Sequence, residues 1–110
     1  MKLTIEGREL NLSANGRFLQ KYCKVFEENL TITLYNALNK SDPYALAKIL
    51  YCAIEGEERN FDEWLESFKS PLFIIPYMEK IQRFIVAETT PTVESKGDDD
   101  SKKKTEKTTN

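Results

Sequence analysis

The sequence predicts an α+β fold, mostly helical: a short N-terminal β-hairpin packed on a bundle of four or five helices, with a disordered, polar C-terminal tail. Three observations carry that expectation. Apolar and polar residues alternate over the first dozen positions. Apolar residues then recur at helical spacing as far as Ala87. Past Ala87 they almost vanish, Val93 being the one sizeable apolar side chain from Glu88 onward. Such a stretch buries too little surface to offset the roughly 1–2 kcal/mol per residue lost on ordering its backbone. The chain therefore divides into a compact domain over residues 1–88 and a polar tail or linker over residues 89–110.

The elements follow in order. Lys2-Leu3-Thr4-Ile5 places Leu3 and Ile5 on one face, Glu6-Gly7 supplies a turn, and Leu10 and Leu12 repeat the alternation. Two period-two runs around a glycine turn read as a β-hairpin. A lone hairpin is marginal in water, so its apolar face must lie on the helices. Ser13 or Asn15 is placed to cap the first helix, whose apolar stripe is Phe18, Tyr22, Val25 and Phe26. Glu27-Glu28-Asn29 ends it. The next segment, Leu30 to Asn39, spaces Leu30, Leu34, Ala37 and Leu38 as a helix. Its β-branched Thr31-Ile32-Thr33 leaves a strand as the alternative at its start.

Ser41-Asp42-Pro43 is the clearest punctuation. Asp42 fits an N-cap, and Pro43 fits the first helical position, where no N–H is needed. The helix that follows, Tyr44 to Ile54, is apolar nearly all round, as expected of a central helix packed on several sides. Glu55-Gly56-Glu57-Glu58-Arg59 reads as a solvated loop. Asn60 and Glu63 then make a start resembling a capping box, ahead of the stripe Phe61, Trp64, Leu65 and Phe68. Pro76 interrupts the last apolar segment. A final helix starting near it carries Tyr77, Ile81, Phe84 and Ile85 on one face, with Leu72-Phe73-Ile74-Ile75 as a turn or short helix leading in.

Composition narrows the function. The chain has no histidine, which removes His-based triads and the commonest metal ligand. The acidic pairs Glu27-Glu28, Glu57-Glu58 and Asp62-Glu63 fall at helix ends or in loops, where they read as solvated or capping groups. Asp98-Asp99-Asp100 lacks a rigid frame for a dedicated cation site. The glycines are isolated, so no phosphate-binding loop is present. No enzymatic activity, cofactor or metal is expected. Formal net charge is −2, with no basic cluster in the body, so nucleic acid is a poor partner. No apolar run approaches the roughly 20 residues of a membrane span, and Met1-Lys2-Leu3-Thr4-Ile5 lacks the apolar core of a signal peptide. The expectation is a cytoplasmic protein, no membrane association, and Cys23 and Cys52 as buried free thiols.

Six phenylalanines, five tyrosines and one tryptophan are a rich supply for a small domain. They are chiefly core material. Trp and Tyr also anchor interfaces, so Phe18, Tyr22, Phe61, Trp64 and Phe68 are the candidate protein-binding residues, some with a double role.

Three motifs stand in series. These are Met1-Lys2-Leu3-Thr4-Ile5-Glu6-Gly7, the helical Gly16-Arg17-Phe18-Leu19, and Ser41-Asp42-Pro43 opening the apolar run Tyr44 to Ile54. In this order the chain resembles the tail assembly chaperones of long-tailed phages and prophages of Gram-positive bacteria. That family pattern is a Leu-Thr-Ile-x-Gly hairpin, a Gly-x-Phe-Leu helix and a Gly-Asp-Pro-like turn. Here Ser41 stands where the pattern has glycine. The resemblance covers most of residues 1–88, and no functional residue carries over by position.

It implies a mostly helical, non-enzymatic protein that self-associates in the host cytoplasm and is absent from the mature virion. Such a protein binds and solubilises the tape measure protein. It also implies a longer product, made by ribosomal frameshifting near the gene's end, which recruits the tail tube protein. Lys102-Lys103-Lys104 can be encoded by an adenine-rich slippery run, and residues 89–110 would then be the tether. The alternative is a small non-enzymatic adaptor or regulatory protein-interaction module unrelated to tails.

Overall fold

The computed structural model describes residues 1–92, and the polar segment expected from residue 89 lies outside the described residues from position 93 onward. Strands β1 (Lys2–Ile5) and β2 (Arg8–Asn11) form an antiparallel hairpin in which Leu3 faces Leu10 and Ile5 faces Arg8. Both turn residues take positive φ, Glu6 at 51° and Gly7 at 80°. That pair is a type I′ turn, whose twist matches that of the strands, and glycine is suited to its second position.

Five α-helices follow. Helix α1 spans Gly16–Phe26, α2 Leu30–Asn39, α3 Pro43–Ala53, α4 Phe61–Glu66 and α5 Met78–Thr89. The starts of the first four are set by side-chain caps, and α5 has none. Asn15 accepts from the amides of Arg17 and Phe18, Asn29 from Thr31, Asp42 from Tyr44 and Ala45, and Asn60 from Glu63. Asn15 rather than Ser13 is thus the first cap. Capped by Asn29, the β-branched run Thr31–Thr33 is helical, not strand. A short 3-10 turn, Ile75–Tyr77, holds Pro76 and leads into α5. Proline is tolerated there because the first positions of a helix need no N–H.

Helix α3 is the centre. It packs against α1, α2, α4 and α5, and Leu46, Ile49, Leu50, Cys52 and Ala53 are sealed from solvent. The hairpin lies on this bundle through Leu3, Ile5, Leu10 and Leu12, all buried. It is also attached through the backbone: Ser13 N–H donates to the Ala53 carbonyl and Glu55 N–H to the Asn11 carbonyl, each at 2.8 Å. These bonds flank a bridge between Leu12 and Ile54. The chain leaving α3 therefore extends the sheet edge, which the sequence did not suggest.

Two expectations on α1 are corrected. Val25 is 42% exposed, because Phe18, Tyr22 and Phe26 already complete the inward stripe. Cys23 is exposed for the same reason, one position round from Tyr22, whereas Cys52 is buried; both thiols are free. Burial pushes the Cys52 thiol up to about 12, leaving it uncharged. No described helix is long and apolar enough to cross a membrane.

Candidate interaction surface

All five aromatic candidates lie in the core. Phe18 and Tyr22 face inward from α1, Phe61 and Trp64 from α4, and Phe68 just beyond it. Four of them belong to one continuous aromatic system. Phe26 joins Tyr22 to Phe61, with ring centres 5.0 Å apart in each case. Trp64 then touches Tyr51, Phe61, Phe68 and Phe73.

What reaches the surface is the far end of that system. Between the first turns of α3, the end of α4 and the loop before the 3-10 turn lies an apolar groove of about 470 Å³. Pro43, Tyr44 and Ala47 form one wall, and Leu65, Phe68 and Phe73 the other. Tyr44 is 54% exposed, and Leu72, carried by the loop, is 64% exposed. The Phe68–Phe73 wall is stiff: the two rings stack at 3.9 Å with their planes 6° apart, and both meet Trp64 edge-on.

A second, polar groove of about 400 Å³ lies on the other side of Tyr44, between α2 and α3. Tyr44 is therefore a ridge between an apolar groove and a polar one. In the polar groove Lys48 Nζ donates to both oxygens of Glu28, at 2.9 and 3.1 Å, and sits 5.1 Å from the centre of the Tyr44 ring. The Tyr22 hydroxyl donates to Glu28 at 3.0 Å and is hydrogen-bonded to the Thr33 hydroxyl, the one buried polar side chain among the described residues. Lys48, and then Tyr22, hold the Glu28 carboxyl below its ordinary value. Burial pushes the Tyr22 hydroxyl up to about 12. This network ties α1, α2 and α3 together and keeps one fixed ion pair beside the ridge.

Among the described residues no cluster of three or more His, Cys, Asp or Glu side chains is set to hold a metal ion. What the surface offers chemically is apolar area beside charge. Sequence reasoning missed Tyr44, Phe73 and Ile74 as surface-lining residues. For Phe73 and Ile74 the signal is Pro71 and Pro76, which bracket an apolar run too short to be a helix and so force it to wrap against its neighbours; Tyr44 has no such signal. It also missed Arg8, whose even position, shared with Leu10 and Leu12, puts it on the buried face of the hairpin. No family model, curated protein or solved structure matches the chain.

Proposed function

We propose that the protein is a tail assembly chaperone that binds the tape measure protein through the groove beside Tyr44. The observation that carries this reading is the groove itself, an apolar trough flanked by a fixed ion pair, which suits a turn of an amphipathic helix. The apolar side of such a helix would fill the space between Tyr44, Leu65 and Phe73. Its polar side would cross the Tyr44 ridge towards Glu28 and Lys48. The order of the hairpin, Gly-x-Phe-Leu and Asp-Pro motifs supports the same reading.

A groove of this size holds only a few side chains, so each copy binds weakly. A row of copies along a long helical chain gains from multivalency, and weak individual contacts allow tube subunits to displace them stepwise. In this reading the polar segment 89–110 tethers the tube-recruiting domain of a longer frameshifted product.

Co-expression with the adjacent tape measure product tests the function. The chain should keep that product soluble and co-purify with it, and Tyr44→Ala should weaken capture about tenfold, as loss of an aromatic anchor does. If the wild-type chain neither binds nor solubilises the product, the adaptor reading replaces this one. Mass spectrometry for a longer product sharing this N-terminus tests the tether.

A further inference from the structure

The loop wall of the groove, residues 67–74, has no regular structure of its own between α4 and the 3-10 turn. What holds it from behind is the tip of the hairpin. The Glu6 carboxylate accepts from the Lys69 amide at 2.8 Å on one oxygen and from the Ser70 amide at 3.0 Å on the other. Arg8 donates to the Ser67 carbonyl at 2.9 Å and to the Ser67 hydroxyl at 2.7 Å. Its guanidinium also lies 4.1 Å from the centre of the Phe68 ring. Phe73 stacks on Phe68 at 3.9 Å. Two groups at van der Waals distance, about 4 Å, cannot share one ring face. Guanidinium, Phe68 and Phe73 are therefore three layers running from the hairpin to the loop wall of the groove.

We propose that the hairpin tip is a strap that fixes the shape of the groove, with Glu6 and Arg8 as its positioning residues. Neither lines the groove, so neither touches what binds there. The strap is itself stiff, since the type I′ turn at Glu6-Gly7 fixes the register that points Arg8 inward. Without it the amides of Lys69 and Ser70 turn to water and the Phe68–Phe73 stack loses its backing. Binding must then supply the ordering of the loop, and affinity falls although no contact to the ligand is lost. The inference rests on the groove being the binding surface.

The test uses the full chain and an apolar dye, anilinonaphthalene sulfonate, read by energy transfer from Trp64, the only tryptophan. Tyr44→Ala, in the wall itself, should lower dye affinity without changing hydrogen exchange at residues 67–74, which locates the dye in the groove. Arg8→Gln should lower dye affinity about tenfold, the scale of charge-assisted hydrogen bonds lost. It should also speed exchange at residues 67–74 while the amides of α3 stay protected. Glu6→Gln should move both readouts the same way and less far. Unchanged dye affinity in both variants overturns the proposal, as does faster exchange that spreads equally through α3. The dye is read without any partner, so failure here is separate from failure of the tail-assembly reading, which co-expression decides.

Discussion

Two residues show how single positions set stability. Ser41 takes φ 51°, in the left-handed region that a Cβ disfavours. It also occupies the place where the resembled pattern has glycine. Ser41→Gly should raise stability by about 0.5 kcal/mol, since relief of the left-handed strain outweighs the extra freedom glycine gains when unfolded. The serine hydroxyl accepts one long bond from Gln82, at 3.3 Å, and its loss trims the gain without reversing it. A lower melting temperature for S41G would show that this bond outweighs the strain. Glu28 gives the second case. Its folded pKa lies below its unfolded value, so its contribution is present above about pH 4.3 and is lost as pH falls through the folded value. Its side chain is 45% exposed, so solvent screens the pair with Lys48 and the effect is modest. The melting temperature of the wild type should drop more than that of Glu28→Gln between about pH 5 and pH 3. Glu6 and Glu57, also held low, titrate in both proteins and cancel in the comparison. Parallel curves would remove Glu28 from the account.

At the scale of elements, the caps and prolines did most of the work, and they are local signals. Asp42 holds the amides of Tyr44 and Ala45 at 3.0 and 3.4 Å and so starts the helix around which the others pack. Asp42→Ala should cost about 1 kcal/mol, read as a shift in urea midpoint at constant slope. A change in slope instead would mean that the native state had loosened. Such caps, the period-two hairpin and the all-round apolar character of Tyr44–Ile54 were legible because each is written within a few residues. The groove was not. Its walls come from α3, α4 and the loop after it, and which aromatic stays at the surface depends on packing between them. Tyr44, in the first turn of α3, meets α4 only edge-on at Phe61 and stays 54% exposed. Trp64 is sealed because Phe68 and Phe73 close over it from beyond the end of α4. Arg8 was hidden for a related reason. A charged residue is expected to face water, so its parity with Leu10 and Leu12 carried no weight without its contacts with Ser67 and Phe68, far along the chain.

At the scale of the whole molecule, the hairpin and all five helices contribute to one cluster of buried residues. Small domains with a single core of this kind unfold in one cooperative step. The molecule carries its own reporters of that step. Trp64 is fully buried and touches α3 through Tyr51 and the loop through Phe73, so its emission follows tertiary packing. Far-ultraviolet circular dichroism follows the helices. The two probes should trace the same urea curve. Leu50→Ala, at a fully buried position of α3, should destabilise the fold by about 3 kcal/mol, because the lost transfer energy is joined by the cost of the cavity. Against a total stability of about 5–15 kcal/mol for a typical domain, that is a large fraction. Because α3 meets α1, α2, α4 and α5, the damage cannot stay local, and both probes should move to lower urea by the same amount. Separate midpoints for Trp64 and for the helices would show instead that α4 and the groove loop form a unit able to open while α1, α2 and α3 remain folded.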